Sequence, residues 1–149
     1  MNLKELTKTI PYKWRVQSFS KNKAKAQCVA YISSRDAMDL LDEVVGAGNW
    51  QDKYETVNGL LFCSIGIKVD NEWVWKGDTG VESNMEKEKG HSSDAFKRAG
   101  VKWGIGRFLY SKTIQFVNTD GAKTDTHKYP YVVDNQGKKV WDITKHINN

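Results

Sequence analysis

The sequence predicts an α+β fold, and three observations carry that prediction. Two strand-like runs flank a polar turn near the start, an amphipathic helical segment follows them, and a stretch of β-branched and aromatic residues is then broken at Asn58-Gly59 and Asp70-Asn71. Hairpin, helix, meander and second helix in that order favour consecutive antiparallel strands over alternating parallel units. A chain of 149 residues is long enough for one domain with a real hydrophobic core and leaves little room for another. Residues 1–149 are therefore expected to form a single domain, with its core over about 11–110 and a C-terminal extension over 111–149.

Each element has a local reason. Leu3 to Thr9 reads as a short helix that Pro11 ends, because a residue before proline is pushed out of the helical region. Lys13 to Phe19 and Ala26 to Ile32, joined through Ser20-Lys21-Asn22-Lys23, read as a hairpin. Ser33 and Ser34 offer a cap and Asp36 an acid for the first turn of the helix that follows. Its apolar residues Ala37, Leu40, Leu41, Val44 and Val45 recur at i, i+3, i+4, i+7 and i+8, and Gly46 stops it. Trp50 to Asp78 then carries three short strands in one antiparallel meander. After a loop from Thr79 to about Ser83, a longer helical region runs toward Gly104 and Gly106 with Phe96, Ala99 and Trp103 on its apolar stripe. A small C-terminal hairpin is expected between Tyr131–Val133 and Val140–Ile143, around Asn135-Gln136-Gly137.

Composition excludes several classes. Nothing approaches the roughly 18 consecutive apolar residues of a transmembrane helix, and Met1 to Ile10 has no apolar core of a secretory signal, so a cytoplasmic protein is expected. Cys28 and Cys63 each lie in an apolar strand run, too few and too far apart for a disulfide framework or zinc site, and read as buried thiols. No Gly-x-x-x-x-Gly-Lys-Ser/Thr phosphate loop occurs, so ATP hydrolysis is not expected and no cofactor is called for. No acid is followed two positions later by lysine, which removes the acid-x-Lys core of one large nuclease class. Asp78, Glu82 and Glu86 remain as carboxylates that a hard cation would accept, and they carry the alternative of a metal-dependent nuclease.

The net charge of +5 is unevenly spread: residues 1–35 sum to +7, residues 36–94 to −8 and residues 95–149 to +6. Clustered cations suit a polyanion, because they displace condensed counterions from phosphates. A basic end and an acidic middle also suit head-to-tail contacts between identical subunits. The densest constellation is His91 to Tyr110, where Lys97, Arg98, Lys102 and Arg107 interleave with Phe96, Trp103, Phe108 and Tyr110. Cations tracking phosphates beside aromatics are what a single strand requires, although Phe96 and Trp103 sit on the apolar stripe and belong to the core. A non-catalytic RNA-binding or protein-interaction module is the further alternative, which competition between single-stranded DNA and RNA would separate.

Several motifs occur here in one order: Ser34-Arg35 opening a helix, Gly46-x-x-x-Trp50 at its end, and Gly77-Asp-Thr-Gly80 closing the meander. Ser93-Asp-Ala-Phe-Lys-Arg-Ala99 and Gly104-Ile-Gly-Arg-Phe-Leu-Tyr110 follow. In this order they resemble the single-strand annealing proteins, namely the phage Sak-type proteins and their eukaryotic double-strand-break repair relatives, the Rad52 family. The resemblance spans roughly Tyr31 to Tyr110. It implies α+β subunits assembled in a ring or filament, with a basic groove that holds single-stranded DNA, bases exposed for pairing, and no covalent step. It also implies an inner DNA site at Arg35, Lys97 and Arg98, with Lys102 and Arg107 nearby. The family's outer DNA site has no direct match, because the segment between Gly80 and Asp94 is shorter than in the eukaryotic members; Lys87 and Lys89 are stand-ins. The partners implied are single-stranded DNA, further copies of the chain and a single-strand-binding protein. A module this small, without the long eukaryotic tail, resembles the minimal annealing protein of a phage or bacterium.

Overall fold

In chain order the described residues form β1 (Lys13–Phe19), β2 (Lys25–Tyr31), α1 (Ser34–Val45), β3 (Trp50–Val57), β4 (Leu60–Val69), β5 (Glu72–Thr79), α2 (Lys87–Lys102), β6 (Gln115–Asn118) and α3 (Ile143–Asn148), with short 3-10 turns between some of them. The computed structural model describes residues 1–22, 24–80, 87–121 and 130–148, and for residues 87–91 the backbone alone. The chain divides into two compact units, one of Met1–Ile10 and Ile32–Phe108 and the other of Pro11–Tyr31 and Leu109–Asn149. Among the described residues no helix is long and apolar enough to cross a membrane.

The first unit holds the expected meander as an antiparallel sheet in the order β3-β4-β5. Register runs from Trp50↔Ile67 to Val57↔Leu60 on one side and from Phe62↔Thr79 to Val69↔Glu72 on the other. Both reversals are two-residue turns with positive φ at each central position: 52° and 79° at Asn58-Gly59, 51° and 66° at Asp70-Asn71. That geometry matches the twist of the flanking strands, which is why Asn, Asp and Gly occupy those sites. Gly77 meets a different demand. A Cβ there would lie 2.5 Å from the Cys63 carbonyl oxygen, so the first glycine of Gly-Asp-Thr-Gly lets β5 lie tightly on β4.

Helix α1 begins with a capping box: Ser33 Oγ accepts from Asp36 N, and Asp36 Oδ2 accepts from Ser33 N. Ala37, Leu40, Leu41 and Val45 are buried as the periodicity requires, with Val44 half-buried. Trp50 Nε1 reaches back to Asp42 Oδ1 at 2.7 Å, and the Trp50 ring lies 6.0 Å from that of Phe96. The Gly-x-x-x-Trp motif is thus a corner that ends α1 and fastens β3 to it. Helix α2 packs on β4 and β5, burying Ala95, Phe96 and Ala99 with Cys63, Ile65 and Ile67. Trp103 completes this layer, its Nε1 donating to the Ile65 carbonyl at 2.9 Å.

The second unit contains the expected N-terminal hairpin, joined by β6 into a sheet of order β1-β2-β6. Its core is Trp14, Ala26, Cys28, Val117 and Val132, with Ile143 and Ile147 packed against them. The C-terminal hairpin needs correction. Its turn is present, with Asp134 N donating to Lys138 O and an isolated Val133↔Lys139 bridge, but no second strand continues to Ile143. Ile143 instead starts α3, because Asp142 Oδ1 accepts from Lys145 N and the i, i+4 pair Ile143 and Ile147 faces the Trp14 core.

Both cysteines are buried free thiols, as the strand pattern required. Burial raises the pKa of each, that of Cys63 from its ordinary 9.0 to about 11. Above pH 9 the unfolded chain releases a Cys63 proton that the folded chain keeps, so stability falls as pH rises from 9 toward 11. The denaturant midpoint is therefore expected to be lower at about pH 10 than at about pH 8. Thiol reagents at neutral pH should react no faster than the protein unfolds; rapid modification of the native protein would contradict the burial.

Candidate nucleic-acid interface

The three cations singled out on α1 and α2 are placed by their neighbours in the fold. Fully buried Phe96 sets the rotation of α2, and the next two residues leave the core at steps of about 100°, so Lys97 and Arg98 emerge half-buried at its rim. Ser34 ties the other helix to this point. Its Oγ lies 2.5 Å from Ser93 Oγ and donates to the Ser93 carbonyl at 3.2 Å. Ser93 precedes Lys97 by one helical turn on the same face. The start of α1, where exposed Arg35 sits in the first turn, is thereby docked beside the turn of α2 that leads into Lys97. The two serines divide the work: Ser33 caps α1 and Ser34 docks it.

Asp78 orients Arg98. Its Oδ2 lies 3.5 Å from Arg98 Nη2, with the side chains 28% and 43% exposed, while Oδ1 accepts from Thr79 N at 2.8 Å. The Gly-Asp-Thr-Gly turn therefore aims a guanidinium. A guanidinium carries five donors and one carboxylate cannot use them all; Arg98 Nε is buried without a hydrogen-bond partner. That nitrogen is sealed from solvent, but the side chain is partly exposed, and its outer nitrogens retain capacity for a phosphate, the group that a planar guanidinium matches.

The other expected residues have different situations. Lys102 is exposed in the last turn of α2, where its charge complements the helix dipole. Arg107 is occupied: its Nε donates to Val101 O at 2.8 Å and its Nη2 to Lys102 O at 3.0 Å, capping the end of α2. Lys87 and Lys89 belong to α2, but their side chains lie outside the described residues. Of the carboxylate trio, Glu82 and Glu86 also lie outside the described residues, and Asp78 is the partner of Arg98.

Sequence reasoning missed the cation and aromatic pairs on the sheet. Lys76 Nζ lies 4.6 Å over the Trp103 ring, and Lys53 Nζ lies 4.4 Å over Trp75 on the face of the sheet away from α2. The alternation Trp73, Val74, Trp75, with exposed indoles two residues apart, was the available signal.

The chain has relatives among known proteins. The chain is 29% identical over 119 residues to the single-stranded DNA-binding protein DdrA of Deinococcus radiodurans, covering 78% of this chain and 57% of that protein. It is 31% identical over 114 residues to DdrA of Deinococcus deserti, covering 75% of this chain and 56% of that one. The chain thus spans just over half the length of these curated relatives. No solved structure matches it. The Rad52/22 family double-strand break repair protein profile matches residues 1–64 and 64–128, the greater part of the sequence. The chain belongs to the Rad52/22 family of double-strand break repair proteins.

Proposed function

We propose that this chain binds single-stranded DNA and anneals complementary strands during recombination and double-strand-break repair, without nucleotide hydrolysis or a covalent step. The observation that carries the reading is the Ser34–Ser93 contact, which docks the Arg35 turn of α1 beside the Lys97-Arg98 turn of α2. Cations at such a junction hold the sugar-phosphate backbone in a sequence-independent way, and bases left free can pair when two loaded complexes meet. The names of the DdrA relatives, single-stranded DNA-binding proteins, support the ligand. Residues 1–149 would act as one annealing module in the cytoplasm, at the nucleoid, alongside a single-strand-binding protein.

The working form would be a ring or filament of identical subunits, because the charge alternation of +7, −8 and +6 along the chain favours heterologous contacts. Two complementary oligonucleotides, one labelled with a fluorophore and the other with a quencher, test the reading in EDTA without nucleotide. The protein should raise the pairing rate well above the spontaneous one and sediment as a species larger than 17.0 kDa. Unaccelerated pairing would overturn the function; a species of 17.0 kDa alone would overturn the assembly. Strand shortening on adding Mg²⁺ would instead favour the nuclease alternative.

A further inference from the structure

Asp78 puts a carboxylate beside one of the cations that the annealing reading assigns to the DNA backbone, where its charge repels a phosphate. Its position is firmly set. Asp78 stands opposite Cys63 in the register of β5 on β4, and the preceding Gly77 fits so closely that a Cβ would lie 2.5 Å from the Cys63 carbonyl oxygen. Oδ1 accepts from Thr79 N at 2.8 Å. With one oxygen held by its own turn, the other is presented to Arg98 Nη2 at 3.5 Å.

The geometry at Arg98 makes carboxylate and phosphate competitors. A guanidinium has two edges for a two-pronged contact: one joins Nε to a terminal nitrogen, and one joins the two terminal nitrogens. Arg98 Nε is sealed in the fold, so the first edge is closed. The second edge includes Nη2, the nitrogen that Asp78 faces. A phosphate on this edge either displaces the carboxylate or sits next to it, and both lower affinity.

We infer that Asp78 is a positioning residue that holds Arg98 ready in the free protein and weakens its grip on a bound phosphate, so that a strand exchanges fast enough to pair and leave. Affinity differences among variants of one interface lie mostly in the dissociation rate, which is the step a carboxylate at this place speeds. This role of Asp78 rests on the annealing reading and adds to it a limit on affinity at one cation.

The test uses the full chain, a fluorescein-labelled forty-nucleotide oligo-dT and the fluorophore and quencher pair, with DNA in excess over protein for the annealing assay. Asp78→Asn keeps an oxygen for Thr79 N and removes the charge. It should bind oligo-dT about two- to fivefold more tightly, the size of a partly exposed ion pair, chiefly through slower dissociation. The salt dependence should become steeper by up to about 0.7 unit. Annealing turnover should slow by a similar factor, a split between affinity and rate that a merely structural role would not produce. Asp78→Ser should act in the same direction, and Asp78→Glu, which keeps the charge, should bind no more tightly than the parent. Asp70→Asn removes the same charge from an exposed turn at the other end of β5 and should leave affinity unchanged. In an Arg98→Ala background, Asp78→Asn should have little effect.

Weaker binding by folded Asp78→Asn would reduce Asp78 to an orienting group and overturn the inference. Equal tightening by Asp70→Asn, or by Asp78→Asn without Arg98, would make the effect general charge repulsion and also overturn it. So would tighter binding with undiminished turnover, or a markedly lower melting temperature for both neutral variants. Failure of the parent chain to bind oligo-dT would overturn the annealing reading itself.

Discussion

Phe96→Ala is expected to cost about 3–5 kcal/mol, the range for deleting a buried aromatic ring, and to lower the melting temperature by roughly 10 °C or more. Phe96 is fully buried, the largest side chain of which this is true among the described residues, and projects from α2 against the Trp50 ring. Truncation removes the apolar contact of the ring and leaves a space that two strands and two helices cannot close by small shifts. Thermal denaturation followed by circular dichroism measures it. Phe96→Leu, which keeps most of the volume, should lose much less and keep DNA binding. A shift of only about 1–2 °C for the alanine variant would show that α2 is not fastened to the sheet through this ring.

The double replacement Lys97→Ala with Arg98→Ala is expected to have the opposite profile. Single-stranded DNA binding should fall by at least tenfold for all sequences, since each charge-assisted bond contributes about 1.5–3 kcal/mol. Stability should change by no more than about 1 kcal/mol, because the Arg98–Asp78 pair is partly exposed to solvent. Fluorescence anisotropy with two oligonucleotides of unrelated sequence, beside a thermal melt, separates the two effects. Unfolding of the variant would make the pair structural; undiminished binding would remove it from the DNA site.

The parts of the fold legible in the sequence were those specified by neighbours along the chain. Helix α1 carries its capping box and its i, i+3, i+4 stripe within one segment, and the meander carries Asn58-Gly59 and Asp70-Asn71, which only a left-handed turn favours. Strand β6 had no such mark. Its four residues gain their place from pairing with β2, Cys28↔Gln115 to Lys25↔Asn118, a distant segment of the chain. Helix α3 was obscured because Val140, Trp141 and Ile143 also fit a strand, and only packing against Trp14 favours Ile143 with Ile147.

The site divides in the same way. Arg35, Lys97 and Arg98 stood out through motifs, but the contact that docks their two helices, Ser34 against Ser93, joins distant parts of the chain. Asp78, which entered only as one carboxylate of the nuclease alternative, pairs with Arg98 across two separate elements. Arg107, expected among the DNA-binding cations, also holds carbonyls that become available only where α2 ends and the chain turns back at Gly104 and Gly106. A list of cations cannot separate these roles, because capping and phosphate binding ask for the same side chain.

The salt dependence of binding tests the central claim most directly. Equilibrium affinity for oligo-dT should be measured across a range of salt for the parent chain and for the triple variant Arg35→Ala, Lys97→Ala, Arg98→Ala. Three lost phosphate contacts should make the slope of log affinity against log salt shallower by about 2 units. An identical slope in the two proteins, with the variant still folded, would contradict the claim that these three cations hold the strand.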